Sequence, residues 1–346
     1  MQAPAIIIFC ILIFFPAYSY CLSDNLQPVS FDVVIKIDMS TQPLKGKTRL
    51  WIPYPVSTKY QQVTDIDIKG TFRSYKIYAD SQYGNMMLFA FWPENVKQKT
   101  LDLHFKVKRV GRSTPDILDV KNKCMDKDFF APFLKGSRLE PLKPETLNLA
   151  NQITRGKTSF AQKAWAIYNW ICENMERDPS IKGCGCGNVC ILLNKKKGKC
   201  VDIHSVFVTL LKASGIPARE IFGLRLPHSG TDNITTWQHC WAEFYVPGAG
   251  WVAADPADYL KVLLEKRLSP LSPEAKRLKK YYFGQIDPYR MRLSTGRDII
   301  LNPVQNSGPI NYFMYPYAEI GRQPLDYLDP STFTYSISAT RLDHNY

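Results

Sequence analysis

Three short blocks between residues 198 and 256 constrain the fold of this chain more than any other feature. Apolar positions at helical spacing follow the first block, and strand-like residues follow the second. We therefore predict a helix that begins at the first block, and two antiparallel strands that connect the second block to the third. The blocks are Gly198-Lys199-Cys200-Val201-Asp202, Gln238-His239-Cys240-Trp241 and Ala254-Asp255-Pro256.

The blocks supply, in chain order, a thiol, an imidazole and a carboxylate. A helix N-terminus and several nearby lysines favour the thiolate of Cys200, which is the nucleophilic form. The first free backbone N–H groups of the same helix can form part of an oxyanion hole, whose second donor is not identified. His239 is the candidate base, and Asp255 is the carboxylate that would orient it. We predict Cys200, His239 and Asp255 as the catalytic residues.

Other residues near these blocks could take the same roles. His204 follows Cys200 by four residues, which places it on the body of the helix, behind the thiol. Asp202 is typical of a first-turn acid that the helix dipole favours. Glu243 and Asp258 are weaker alternatives for the orienting carboxylate.

The register of the predicted hairpin decides whether His239 and Asp255 can meet. A loop made of the four residues 247–250 would place Asp255 opposite Ala242, on the face away from His239. A loop of three or five residues, or a β-bulge, would bring both side chains to one face. We predict such an irregularity.

The whole chain divides into five predicted segments of an α+β protein. Residues 1–19 have the apolar run of a secretory signal peptide, so the chain is expected to be exported to the periplasm or secreted. Residues 113–145 form a linker, 146–260 a catalytic core in which the cysteine helix packs on an antiparallel sheet, and 261–346 a basic C-terminal extension packing on the core. Residues 20–112 alternate apolar and polar side chains in six short runs, which predict an N-terminal antiparallel β-sandwich. The runs are 31–37, 48–52, 63–68, 74–78, 86–91 and 100–107.

A second cysteine-rich segment precedes the first block. Residues 183–190 read GCGCGNVC and, taken with Cys200, give the spacing C-x-C-x₃-C-x₉-C. Structural zinc sites usually space their paired ligands by two to four residues, so no metal or other cofactor is expected. The glycines instead predict a backbone that passes close to the nucleophile or to the substrate. Disulfides among the other cysteines are compatible with export, but their pairing cannot be derived from spacing.

The formal charge of +13 is unevenly distributed. Residues 261–297 contain ten basic residues against three acidic ones. Such a segment could bind an anionic polymer of the cell envelope or an acidic substrate, or it could form a solvated face. A nucleic-acid partner is not expected, because no motif for one is present.

The blocks, with the segment Ala213-Ser214-Gly215-Ile216-Pro217-Ala218-Arg219 between them, resemble the transglutaminase-like superfamily of microbial proteins. The resemblance covers about residues 145–260 and implies a papain-like core. Position by position, the family's nucleophile corresponds to Cys200, its base to His239 and its orienting acid to Asp255. Later segments, among them Tyr282-Phe283-Gly284, are similar to exported bacterial members.

The chemistry that the resemblance implies is attack of a thiolate on a carboxamide, with transfer of the acyl group to water or to an amine. Hydrolysis of protein or peptide substrates is favoured, since microbial members are similar to peptidases and amidases more often than to cross-linking enzymes. Two alternatives are a protein-glutamine acyltransferase and a non-catalytic protein that binds the cell envelope. The sequence does not indicate an oligomeric state.

Overall fold

The computed structural model describes residues 26–42, 45–121 and 124–342. The predicted signal peptide lies outside the described residues. The helices are α1 (Pro144–Ile153), α2 (Phe160–Asn174), α3 (Val189–Lys195), α4 (Cys200–Ala213), α5 (Pro256–Lys266) and α6 (Pro273–Tyr281), with 3₁₀ turns at Ile117–Asp119 and Ala131–Phe133. The strands are β1 (Val29–Asp38), β2 (Thr48–Pro53), β3 (Gln61–Gly70), β4 (Ser74–Ala79), β5 (Met86–Trp92), β6 (Thr100–Arg109), β7 (Arg112–Ser113), β8 (Glu176–Arg177), β9 (Lys197–Gly198), β10 (Ala218–Arg225), β11 (Thr231–Asn233), β12 (Gln238–Val246), β13 (Gly250–Ala254), β14 (Gln285–Ile286), β15 (Arg290–Thr295), β16 (Tyr317–Ile320), β17 (Gln323–Pro324) and β18 (Thr334–Leu342).

The six predicted N-terminal strands are present as β1 to β6, and they form two antiparallel sheets. One sheet has the order β11-β18-β1-β6-β3, and the other has the order β17-β16-β2-β5-β4. Alternate residues of β1 and β6 are buried, as the period-two pattern of the sequence requires. Their apolar side chains and those of β2 and β5 belong to one shared core, so the sheets pack face to face.

Strands from the end of the chain complete both of these sheets. β18 pairs with β1 along nine residues, from Ser30 opposite Leu342 to Asp38 opposite Thr334. β16 pairs with β2, from Tyr317 opposite Trp51. The segment 261–346, predicted as an extension on the core, therefore contributes β15 to the core sheet and β16 to β18 to the N-terminal sheets. The sequence pattern identifies strands but does not specify their partners.

The core is an antiparallel sheet in the order β13-β12-β10-β15, with α4 packed on one face. Cys240, Ala242 and Phe244 of β12 are buried against this helix. Residues 200–212 of α4 are all buried, including polar residues such as Asp202 and His204, so the helix lies inside the core. Full burial of a side chain such as Phe207 contributes about 1.5–3 kcal/mol. The predicted α+β class, with the cysteine helix on an antiparallel sheet, is confirmed.

A buried ion cluster connects α4 to the segments around it. Arg297 is 1% exposed, and its guanidinium lies 2.8 Å from Glu220 of β10 and 3.2 Å from Glu140. It also donates hydrogen bonds to the Ser205 hydroxyl of α4 and, at 3.4 Å, to the carbonyl of Cys186. One cation thus holds four separate parts of the chain around the base of α4.

Within the part of the chain that the structure describes, no helix is long and apolar enough to cross a membrane.

Candidate active site

Cys200 is the first residue of α4, so the predicted helix start is confirmed. Lys199 precedes it in extended conformation, and the Lys199 N–H donates to the carboxylate of Asp202 at 3.0 Å. The Val201 N–H donates to the carbonyl of Cys184 at 3.0 Å. The thiol is therefore presented at the end of a helix whose first N–H groups are held in place. Cys200 is 2% exposed and lies at the base of a cleft.

The glycine-rich loop passes directly over this helix start, as predicted. Gly185 has φ of +90°, and a Cβ at this position would lie 2.0 Å from a carboxylate oxygen of Asp202. The N–H groups of Cys186 and Gly187 donate to the other oxygen of Asp202, at 3.1 Å and 2.8 Å. Asp202 is the first-turn acid expected from the sequence, and it also fixes the loop against the helix.

Two further thiols surround Cys200. Side-chain hydrogen bonds from Cys184, and then from Cys240, lower the pKa of Cys200 well below its ordinary value against the opposing effect of burial; a hydrogen bond with His239 adds to them. Cys184 is held in turn by the hydroxyl of Tyr315, which donates to its sulfur at 3.4 Å. The cysteines among the described residues are free thiols, so no disulfide competes for Cys200.

His239 and Asp255 meet because the loop between their strands has three residues, 247–249. Val246 pairs with Gly250, and Ala242 pairs with Ala254. This register places Asp255 on the same face as His239, and the prediction of a three-residue or five-residue loop is confirmed. Gly250 takes a φ of +86°, a left-handed conformation that suits the end of a three-residue hairpin loop.

The Nε2 atom of His239 lies 2.7 Å from Oδ2 of Asp255. Oδ1 of the same carboxylate accepts the Asp258 N–H at 2.9 Å, so Asp255 is also the N-cap of α5. Burial and then Asp258 would raise the pKa of Asp255, but His239 and a hydrogen bond from His204 keep it below its ordinary value. Because Nε2 faces the carboxylate, Nδ1 is the ring nitrogen left for Cys200.

The alternative residues have supporting positions around this pair. His204 is fully buried, with Nε2 3.3 Å from Oδ1 of Asp255 and Nδ1 3.2 Å from the sulfur of Cys240. It lies behind the thiol, as its helical position predicts. Glu243 is engaged elsewhere, since Arg219 donates to it at 2.9 Å and 2.7 Å.

Asp258 gives the site a second carboxylate, 3.6 Å from Nε2 of His239. Arg225 and Arg290 donate to one oxygen of Asp258 at 2.7 Å and 2.5 Å. His239, Asp255 and Asp258 lie close enough together to bind a cation. The donor set fits a metal poorly, because the two guanidinium groups already neutralise the carboxylates and would repel a positive ion.

The electrostatics of His239 follow from the same cluster. Burial and then Arg225 would lower the pKa of His239, but Asp258 and Asp255 outweigh them and raise it above its ordinary value of 6.5. A lowered pKa for Cys200 and a raised pKa for His239 together favour a thiolate beside an imidazolium. The two groups titrate as a pair.

The cleft above Cys200 has a volume of about 680 Å³. Aromatic side chains line one part of its wall, and most of these come from the chain after β15: Tyr315, Tyr327, Phe333 and Tyr335, together with Trp237. Basic side chains line another part: Arg177, Lys182, Lys199 and Lys261. The strand that carries Tyr335, β18, also belongs to an N-terminal sheet, so that sheet contributes to the cleft.

Three residues of the site were not predicted as members of it. Cys184 belongs to the loop that was expected near the nucleophile, but nothing in its spacing indicates that its thiol faces Cys200. Arg225 and Arg290 lie on β10 and β15, and only the strand pairing between Arg225 and Arg290 reveals their proximity. A buried carboxylate needs a cationic partner. The two arginines could therefore have been sought only once the burial of Asp258 was known.

The pH dependence of Cys200 alkylation should report the thiolate–imidazolium pair. Alkylation by iodoacetamide follows the thiolate fraction, so a lowered pKa keeps Cys200 reactive at pH values below the ordinary thiol range. In His239→Ala the thiolate loses one stabilising partner while burial remains, so the midpoint of the pH profile should move upward. Mass spectrometry of the Cys200 peptide measures the rate, with the exposed thiol of Cys186 as internal reference. Identical midpoints in the two proteins would contradict the pairing.

A helix-borne cysteine that faces a histidine and an aspartate on an antiparallel sheet defines a papain-like core. The sequence model of the transglutaminase-like superfamily matches residues 147–256, which include all three residues. The chain belongs to this superfamily.

Individual relatives extend the likeness beyond the core. A protein of Haemophilus influenzae, itself uncharacterised, is 34% identical over 322 residues, which cover 86% of this chain and 87% of the relative. The uncharacterised Bacillus subtilis protein YebA is 34% identical over 266 residues, covering 63% of this chain and 34% of YebA. The solved structure of a candidate cysteine protease from Cytophaga hutchinsonii has a TM-score of 0.56 over 92% of this chain and 93% of its own, at 16% identity. At that identity the likeness concerns the fold alone.

Proposed function

We propose that the protein is a cysteine-dependent peptidase or amidase that acts through a thioester acyl-enzyme on Cys200. The observation that supports this most is the thiol at a helix start, in the same cleft as a buried His239 whose Nε2 lies 2.7 Å from Asp255. These positions support nucleophilic catalysis, in which a base activates a thiol and a carboxylate orients the base. Membership of the transglutaminase-like superfamily supports an enzyme of this general kind.

The first half of the proposed reaction breaks the amide. The sulfur of Cys200 attacks the carbonyl carbon, and the developing oxyanion is stabilised by the backbone N–H of Cys200, since the Val201 N–H already donates to the Cys184 carbonyl. His239 gives its Nδ1 proton to the leaving nitrogen as the C–N bond breaks, so an amine departs and a thioester remains. Asp255 keeps the imidazole oriented and stabilises its charged form.

The second half releases the acyl group. Nδ1 of His239, now unprotonated, takes a proton from water, and the resulting hydroxide adds to the thioester carbon. The C–S bond breaks, the carboxylic acid leaves, and the thiolate–imidazolium pair is restored. The raised pKa of His239 suits both halves, since the imidazolium is available as the acid and the imidazole as the base.

The cleft supports a peptide or protein substrate. Its aromatic wall offers apolar surface for side chains, and its basic wall would favour acidic residues next to the scissile bond. We also propose that the enzyme acts outside the cytoplasm, in the periplasm or after secretion, which rests on the apolar run at residues 5–15.

Peptide profiling in ¹⁸O-labelled water tests the proposal. The purified chain is incubated with a mixture of peptides of varied sequence, and new termini are identified by mass spectrometry. A hydrolase should produce new carboxyl termini that carry ¹⁸O. A parallel reaction contains a labelled primary amine and a glutamine-bearing protein. Amine incorporation without ¹⁸O-labelled products would refute hydrolysis in favour of acyl transfer. Absence of both products would refute the proposed enzymatic activity.

A further inference from the structure

A second cavity, of about 330 Å³, lies between the N-terminal sheets and the core sheet, away from Cys200. Residues 58–60 line one side, and the face of the core sheet that carries Trp241 and Trp251 lines the other. Four arginines and one glutamate line it: Arg109, Arg112, Arg219, Arg292 and Glu243. Such a concentration of guanidinium groups around one carboxylate is unusual for a packed interface between sheets.

Glu243 satisfies only two of the four arginines. Arg112 donates to one of its oxygens, and Arg219 donates to the other through two nitrogens at 2.9 Å and 2.7 Å. Arg219 also lies over the ring of Trp251, with 3.9 Å between its guanidinium carbon and the ring centre. Burial would raise the pKa of Glu243, but Arg112, Arg219 and Arg292 hold it below its ordinary value. The carboxylate of Glu243 is therefore charged, and both of its oxygens already accept hydrogen bonds from Arg112 and Arg219.

The other two arginines have no carboxylate within ion-pair distance in the described parts of the chain. Arg109 is 4% exposed and donates to the carbonyl of Tyr60 at 2.6 Å, while its Nε is buried without a hydrogen-bond partner. Arg292 bonds with Gln61 through its backbone N–H and carbonyl, so these bonds do not use its guanidinium. Burial, together with the neighbouring Arg112, lowers the pKa of Arg109 to about 10. Burial, together with Arg219, lowers the pKa of Arg292 to about 10.

Both guanidinium groups remain charged at neutral pH, and among the described residues Glu243 is the one carboxylate that lines the cavity beside four arginines, so the cavity keeps an excess of positive charge. Excess buried positive charge makes the fold less stable, and the arginines cannot relieve it by losing a proton near pH 7. An anion with several oxygens would relieve it, because each guanidinium presents a planar fork of N–H donors. Arg109 lines the cavity, and its buried Nε has no hydrogen-bond partner, so this guanidinium is not fully satisfied by the chain.

We propose that this cavity binds a small multivalent oxyanion, namely a phosphate or the phosphoryl group of a small molecule. Its volume admits such a group and excludes a long polymer from the interior. The site is separate from the proposed catalysis, because it shares no lining residue with the cleft above Cys200. It joins β6 and β7 to β10, β12 and β15, so an anion bound there would hold the N-terminal sheets against the core.

Calorimetric titration of the purified chain with inorganic phosphate and with pyrophosphate tests the site. Sodium chloride at matched ionic strength controls for general screening. We expect saturable binding of phosphate, tighter binding of pyrophosphate, and a melting temperature that rises with either anion. Arg292→Gln should weaken phosphate binding about tenfold or more, since one charge-assisted contact is lost. Arg73→Gln, at an exposed arginine outside the cavity, should bind as the unchanged chain does.

Arg292→Lys is the second variant, which keeps the charge and loses the fork. It should fold and bind phosphate with an affinity between those of Arg292→Gln and the unchanged chain. The proposal is overturned if neither anion binds, or if Arg292→Gln and Arg292→Lys both bind as tightly as Arg73→Gln. It is equally overturned if sodium chloride raises the melting temperature as much as phosphate does.

Discussion

Replacing Cys200 by alanine is expected to reduce the rate of peptide hydrolysis by about 10⁴-fold or more. The variant keeps His239 and Asp255 but has no sulfur to form the thioester, and residual catalysis by the remaining groups is small. The measurement is kcat/KM on the best substrate from peptide profiling, for the unchanged chain and the variant together. Retention of more than about a hundredth of the activity would mean that another group is the nucleophile.

The matched control is Cys186→Ala. This residue lies in the same glycine-rich loop, but its side chain is exposed and its contacts with Asp202 and Arg297 are made by its backbone. We expect Cys186→Ala to keep nearly full activity. Circular dichroism should show that both variants fold, because replacing one sulfur by hydrogen in Cys200→Ala removes little buried volume. A loss of structure in Cys200→Ala would disqualify the rate comparison, and Cys200→Ser would replace it.

Replacing Arg297 by methionine is expected to reduce the free energy of unfolding by about 3–5 kcal/mol at pH 8. The change leaves the carboxylates of Glu140 and Glu220 buried, with the Lys212 ammonium 3.5 Å from Glu140 as the remaining cation. It also removes the donors to the Ser205 hydroxyl and the Cys186 carbonyl. Urea unfolding followed by tryptophan fluorescence measures the loss, and Arg73→Met is the matched control at an exposed arginine.

The decrease in the free energy of unfolding caused by Arg297→Met should grow as pH rises. Burial and then Glu220 raise the pKa of Glu140 to about 8 in the folded chain, so between its unfolded value near 4.5 and pH 8 this group makes folding less favourable as pH rises. Burial would raise the pKa of Glu220 too, but Arg297 lowers it to about 2, which stabilises the fold above pH 4.5. Without Arg297 this second contribution disappears. The difference between the two proteins should therefore be larger at pH 8 than at pH 4, and a difference that does not change with pH would contradict the cluster.

Local features of the fold were predictable from sequence because they depend on neighbouring residues. The run 48–52 became β2 (Thr48–Pro53), and the run 86–91 became β5 (Met86–Trp92). The start of α4 at Cys200 follows from the helical spacing after it. Even the three-residue loop before Gly250 was constrained, since the opposite register would separate His239 and Asp255, which the proposed chemistry requires together.

Contacts between distant segments were not predictable in the same way. The pairing of β18 with β1 joins residues about three hundred positions apart, and alternation gives no information on partner choice. The ion pairs of Asp258 with Arg225 and Arg290 depend on that kind of long-range pairing. The basic segment 261–297 likewise does not form one surface. Arg290 and Arg297 lie in two separate buried ion clusters, and Arg292 lines the second cavity.

Because β1 pairs with β18, the N-terminal sheets cannot be completed until the end of the chain has been synthesised. When β15 has left the ribosome, all four strands of the core sheet are available, whereas β1 and β2 each still lack one neighbour. Those two edges stay open until β16 and β18 are made, and an open edge is a surface on which strands of other chains can add. Closing them requires a long chain loop to be drawn together, which is a slow step. The nascent protein thus passes through a stage in which its core sheet can form while its oldest strands are still vulnerable to aggregation.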